Sequence, residues 1–216
     1  MDDSRLVIGV DESGKGDFFG PLVIAAFCAP DSDKAALERL GVRDSKTIAE
    51  KKLLGIDEIL RRDFPYELVV IGPEKYNELH ARIRNLNKLL AWGHARAIEN
   101  VLLKNPASLA ISDKFGDARL IERALMEKGK EIEIQQIVRG ESIIQVAAAS
   151  IIARATFVRQ IHALSDRLHM KIPRGAGPPV DTAARALVSK QGVDILKQVA
   201  KVHFKNYSRV VHPTLL

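Results

Sequence analysis

One cysteine, Cys28, stands in a chain of 216 residues. No disulfide can form within the chain, a cysteine-rich zinc site is excluded, and the usage fits a reducing compartment. No apolar run approaches the roughly 18–20 residues of a membrane span. The opening residues, MDDSRLVIGVD, lack a basic-then-apolar secretion signal and enter a strand-like run at once. The histidines show neither H-E-x-x-H nor zinc-finger spacing, and no G-x-S-x-G nucleophile elbow occurs. A Walker loop and a dinucleotide fingerprint are also missing. There is no repeat, low-complexity tract or linker. These absences lead to the expectation of a soluble cytoplasmic protein with no membrane association, no obligate protein partner and a monomeric state.

What is present suffices for one domain. Hydrophobic residues make up 46%, enough for a full core. Charged residues make up 28%, and the formal net charge is +6. That balance favours a polyanionic partner without proving one.

The most informative stretch is Asp11 to Pro21, DESGKGDFFGP. The strand-like run Leu6–Val10 delivers two adjacent acids, Asp11 and Glu12. Ser13, Gly14, Lys15 and Gly16 follow, and apolar runs resume at Phe18-Phe19 and Leu22–Phe27. Two carboxylates at a strand end make a hard oxygen site suited to Mg²⁺ or Mn²⁺. The glycines allow close backbone approach, exposed N–H groups can hold a phosphate oxygen, and Lys15 adds a point charge. Metal and phosphate sites side by side suggest phosphodiester chemistry. A hairpin turn with solvated acids is the plainer reading of the same residues.

The pattern predicts strands over 5–10 and 18–28, expected to form an antiparallel pair, and a short helix over Lys34–Leu40. Thr47 with Glu50 has the form of a capping box for a helix ending near Arg62. A third strand spans Pro65–Val70, and Pro73 suits the first turn of a helix over Glu74–His80. A long buried helix covers Asn85–Leu103, and a strand from Leu109 ends at Asp113. A helix over Asp117–Lys128 closes at Gly129, a strand follows over Ile132–Val138, and a long helix covers Ser142–His169. After the Gly/Pro loop at 174–179, short helices are expected over 181–190 and 193–202, then a tail. Strands that lead and then alternate with helices indicate a single α/β domain, residues 1–216, with a mixed sheet.

Further residues could join the site. An acid at a strand's C-terminal end, such as Asp113, is a common metal ligand in an α/β sheet, and equally a turn-capping residue. Glu141 stands at the mouth of the long helix, where the dipole alone favours a carboxylate. Asp44-Ser45-Lys46 precedes a helix, so Lys46 can meet a phosphate or simply be an exposed lysine. Arg154 shares a helix face with Ser150. His94 reads as a packed, hydrogen-bonded core group.

These motifs, taken in order, resemble ribonuclease HIII. The resemblance runs from Asp11–Leu22 through Asp44-Ser45-Lys46, Asn85-Leu86-Asn87, Leu90–Ala95, Ala147–Arg154 and Pro173–Ala176 to Lys201–Asn206. It implies an RNase H-like fold, with a central mixed sheet flanked by helices and a C-terminal helical segment. It implies endonucleolytic hydrolysis of the RNA strand of an RNA–DNA hybrid with Mg²⁺ or Mn²⁺, giving 5′-phosphate and 3′-hydroxyl ends. By motif, Asp11, Glu12, Asp113 and Glu141 match the catalytic metal-site acids, and four acids beside phosphate-binding groups suggest a two-metal mechanism with Asp11 bridging the ions. Ser13, Gly14, Lys15 and Gly16 match the loop that contacts the hybrid, and Lys46 and Arg154 match phosphate-side cations. Ribonuclease HIII usually carries an extra N-terminal substrate-binding domain. Only ten residues precede Asp11 here, so the expectation is a chain without it, in which the basic segment from about 174 to 216 helps hold the hybrid. The alternatives are a ribonuclease HII-type enzyme acting at single embedded ribonucleotides and a non-catalytic hybrid-binding module.

Overall fold

The structure, a computed structural model, describes residues 5–117 and 119–212. In chain order the elements are β1 (Leu6–Ser13), β2 (Leu22–Pro30), α1 (Lys34–Leu40), α2 (Glu50–Asp63), β3 (Tyr66–Ile71), α3 (Pro73–Ile83) and α4 (Leu86–Leu102). They continue with β4 (Leu109–Asp113), α5 (Arg119–Ala124), β5 (Glu133–Ile137), α6 (Ile144–Leu168), α7 (Pro178–Gln191), α8 (Ile195–Val199) and α9 (Lys205–Val211). The described residues fall into two compact units. The first draws on residues up to Glu12, Val23–Val69 and Asn85–Ala155; the second draws on Ser13–Leu22, Val70–Arg84 and the chain from Thr156 onward.

The five-stranded sheet has the order β3-β2-β1-β4-β5. β1 pairs in parallel with β4, and β4 in parallel with β5. Residues 14–21 alone connect the neighbours β1 and β2, too short a link for a parallel crossover, so that pair runs antiparallel and the sheet is mixed.

Within the first unit, side-chain alternation sorts β1 and β4 by face. Val7 and Ile111 are buried with Val146 of α6, and Leu109 packs against them. The odd-numbered residues of both strands therefore face α6. At Gly9 the fit leaves no room: a Cβ there would lie 2.0 Å from the main-chain carbon of Gln145. On β2, a Cβ at Gly93 of α4 would lie 2.7 Å from Ile24. Cys28 is wholly buried in β2, and burial pushes its thiol up to about 11.

Several elements depart from the sequence pattern for identifiable reasons. Phe18 and Phe19 precede β2 rather than open it, because Gly20 at φ 80° and Pro21 interrupt the strand. Thr47 does not cap α2. It lies in a short 3₁₀ turn, Ser45–Thr47, where its hydroxyl donates to the Asp44 carbonyl, and α2 starts at Glu50. The helix expected over 117–128 is confined to Arg119–Ala124. Beyond it, the buried carboxylate of Glu99 accepts from the N–H groups of Met126 (2.7 Å) and Gly129 (2.9 Å), drawing that backbone out of helical register. The tail contains α9.

The basic character expected of the C-terminal segment is reduced in the second unit. Lys201 is fully buried, Arg209 pairs with Asp181 at 2.8 Å, and Lys197 pairs with Asp194 at 2.7 Å. Among the described residues no helix is long and apolar enough to cross a membrane.

Gly9→Ala should lower the unfolding free energy by about 1–3 kcal/mol, since the new methyl meets backbone rather than a movable side chain. Urea denaturation checks this, and an unchanged midpoint would contradict the packing of α6 on β1.

Candidate active site

The parallel register brings two acids together. Val10 lies opposite Ser112, so one step further places Asp11 beside Asp113 on the neighbouring strand. Both are odd-numbered residues at C-terminal strand ends, facing α6. Adjacent strands run roughly 4.8 Å apart, close enough for two carboxylates to share a ligand. Acids remote in sequence thus become neighbours through strand pairing alone.

Glu141 reaches the same corner through a tight turn. Arg139 adopts a left-handed conformation, φ 59°, and opens a 3₁₀ turn over Gly140–Ser142 that leads into α6. The Gly140 N–H donates to Asp113 Oδ1 at 2.9 Å. A Cβ on Gly140 would stand 2.9 Å from Asp113 Cα, so the turn is packed onto the strand end. Glu141 follows at once.

Glu12 points the other way, as strand alternation requires. Its Oε2 lies 3.1 Å from Nε2 of His94, a fully buried residue of α4 whose ring packs on Phe115 at 4.7 Å. The reading of His94 as a packed, hydrogen-bonded group describes its burial, but sequence alone did not connect it to Glu12. The two sit far apart in the chain, and no spacing signals the pair.

Asp11 is held and strained electrostatically at once. Its Oδ1 accepts from the Glu12 N–H at 2.8 Å, and its carboxylate is also hydrogen-bonded by Ser150 of α6. Burial, reinforced by the charge of Glu12, pushes the Asp11 carboxyl up to about 6, against the opposing pull of Ser150, the Glu12 N–H and His94. Ser150 also meets Ser45 at 2.8 Å between hydroxyls, and Arg154 donates to the Ser45 carbonyl. A chain of contacts therefore runs from Asp11 through Ser150 to the Asp44-Ser45-Lys46 turn. Arg154 is half-buried in this network, whereas Lys46 is exposed. Ser45 lies in the Asp44-Ser45-Lys46 motif and Ser150 in the Ala147–Arg154 motif, yet nothing in their spacing shows that they touch.

The glycine-lysine loop belongs to the second unit. Ser13 ends β1, Gly14 takes φ 85°, and its carbonyl accepts from the Asp17 N–H at 3.3 Å. A Cβ on Gly14 would lie 2.2 Å from the Pro21 carbonyl, so the loop closes tightly and only glycine fits. Lys15 is half-buried and Gly16 exposed.

The donor set suits a hard divalent cation: carboxylate oxygens in a partly desolvated corner where one acid already resists ionisation. Among the described residues no three acid, histidine or cysteine side chains yet converge on one point. The present hydrogen bonds explain this, since Glu12 is turned to His94 and Asp113 to Gly140. An ion that keeps several waters and takes phosphate oxygens needs only one or two carboxylates at a time.

The Ribonuclease HII family profile matches residues 8–207. Ribonuclease HIII of Chlamydia abortus is 40% identical over 215 residues, covering 98% of this chain and 72% of the relative. The chain belongs to the ribonuclease HII family, on its ribonuclease HIII branch. Ribonuclease HIII of Protochlamydia amoebophila is 38% identical, covering 94% of this chain and 68% of the relative. Among solved structures, Bst-RNase HIII in complex with Mn²⁺ superposes with a TM-score of 0.88 at 31% identity, covering 96% of this chain and 70% of that one. The fold is RNase H-like, and the family makes this chain a metal-dependent ribonuclease.

Asp11→Asn should stabilise the metal-free protein. Between about pH 4 and 6 the folded state binds the Asp11 proton more tightly than the unfolded chain, so this group's contribution to stability falls as pH rises and is lowest above about 6. The substitution should therefore add up to about 3 kcal/mol at pH 7 and little at pH 4. Urea titrations in EDTA across that range test it; a pH-independent gain would contradict the burial argument.

Proposed function

We propose that this chain is an endoribonuclease that hydrolyses the RNA strand of RNA–DNA hybrids, leaving 5′-phosphate and 3′-hydroxyl ends. The observation that carries the reading is the pairing of Asp11 and Asp113 on one face, at the C-terminal ends of parallel β1 and β4. Family membership supplies the reaction class.

Asp11, Asp113 and Glu141 would hold Mg²⁺ or Mn²⁺, with Glu12 joining through its carboxylate or main-chain carbonyl. Divalent ions held there would supply an activated water and stabilisation of the leaving 3′-oxygen. The protein's own task is positioning. Ser150 and the Glu12 N–H orient Asp11, Gly140 orients Asp113, and His94 fixes the direction of Glu12. The N–H groups of Ser13–Gly16 and the ammonium of Lys15 suit a phosphate of the hybrid, as does exposed Lys46. Arg154 supports the turn that presents Lys46 through its bond to the Ser45 carbonyl, and its remaining N–H donors would suit a phosphate as well. Selectivity for a hybrid would come from groove width and 2′-hydroxyl contacts, which need no base reading. The protein would act in the cytoplasm as a monomer.

A uniform RNA–DNA hybrid and a DNA duplex bearing one ribonucleotide, offered side by side with Mg²⁺ or Mn²⁺, test the reading. The expected result is cleavage of the hybrid at several positions, and loss of cleavage by at least about 10³-fold in Asp11→Asn with folding intact. Incision confined to the single ribonucleotide would establish the ribonuclease HII-type activity instead. Hybrid binding without metal-dependent cleavage would leave a binding module.

A further inference from the structure

A lysine with no exposed surface needs a reason, because burying an ammonium costs far more than burying an apolar side chain of equal size. Lys201 is such a residue, among the largest fully buried side chains of the protein. Its Nζ donates to the carbonyl of Asp17 at 2.8 Å and to that of Gly20 at 2.7 Å, and lies 5.6 Å from the centre of the Tyr76 ring. Burial pulls the amine down to about 7, with the charge of Asp17 opposing. Either protonation state keeps the two N–H bonds needed for two carbonyls.

The backbone around Lys201 is fastened to the same segment. The Lys201 N–H donates to the Phe18 carbonyl at 2.8 Å, and the Gly20 N–H donates to Val199 at 2.9 Å. Phe19 and Ala200 form an antiparallel bridge. Asn77 brackets the other side, donating to the Ala200 carbonyl at 2.9 Å and accepting from the Val202 N–H at 3.0 Å. Asp17 in turn accepts from the Gly175 N–H through Oδ1 at 2.6 Å. Residues 17–20 are thus the anchored half of a loop whose other half, Ser13–Gly16, has its own tie to the anchor through the Asp17 N–H to Gly14 carbonyl bond.

We propose that Lys201 is a positioning residue for the Gly14-Lys15-Gly16 loop, its amine gathering the carbonyls of Asp17 and Gly20 so that Lys15 and the loop N–H groups are presented in one fixed geometry. The proposal rests on the reading of that loop as the phosphate-contacting element. An apolar replacement of similar volume keeps the packing but leaves the Asp17 and Gly20 carbonyls without that donor, so the loss is felt where the loop is anchored. The cost of losing Lys201 therefore falls on loop geometry and turnover.

Lys201→Met keeps length and bulk while removing the donors. The expected variant is folded, and kcat on a long hybrid drops about 10–100-fold, while KM shifts less than about threefold because contacts elsewhere along the duplex persist. Combined with Lys15→Met, the losses should not multiply. Amide exchange across Ser13–Gly16 should quicken in Lys201→Met. If Lys201→Met does not fold, Lys201→Ala refolded with propylammonium serves in its place, and activity should return with that amine and not with propanol. Wild-type kcat in a folded variant, fully multiplying losses, rescue by propanol, or unchanged loop exchange would each overturn the proposal. Failure of the wild type to cleave a hybrid would overturn the functional reading instead, and the exchange measurement still decides the role of Lys201.

Discussion

A carboxylate placed where water is scarce, one peptide bond from a second acid, is an electrostatic cost that folding must carry. Asp11 is that carboxylate, and much of the first unit is arranged around it. β1 continues through Ser13, so strand alternation sends Asp11 and Glu12 to opposite faces, separating two like charges at no expense in backbone geometry. Ser150 and a main-chain N–H hold one, and the buried His94 holds the other. The arrangement is tolerable because each carboxylate has its own hydrogen-bond partner.

Packing makes the corner possible. Gly9 lets the start of α6 lie directly on β1, and Gly140 lets the preceding turn lie directly on the end of β4. Both close approaches bring backbone rather than side chain to the sheet. The result is that Asp11, Asp113 and the residue after Gly140 share one end of the sheet.

Much of this was legible from the chain. Apolar runs marked β1, β2, β4 and β5, helical periodicity marked α4 and α6, and a strand-terminating acid marked Asp113. What periodicity could not show were contacts between remote side chains and backbone. Glu99 ends the helix around α5 from nearly thirty positions upstream, and a window along the sequence contains no trace of it. His94 carried no sign of Glu12, because a buried histidine looks the same in sequence whatever it touches. Lys201 read as one more surface cation, since its burial depends on two carbonyls that no residue pattern encodes. Charge counts failed for the same reason, treating Arg209 and Lys201 alike although one is paired and the other enclosed.

Cys28 offers a practical corollary. Its sulfur is sealed within the central strands and resists deprotonation at any ordinary assay pH, so it is silent toward thiol reagents while the protein stays folded. A cysteine introduced on the outside would then be the sole reactive thiol. The native molecule thus arrives ready for fluorophores, spin probes or crosslinkers at a chosen position, with no background to engineer away.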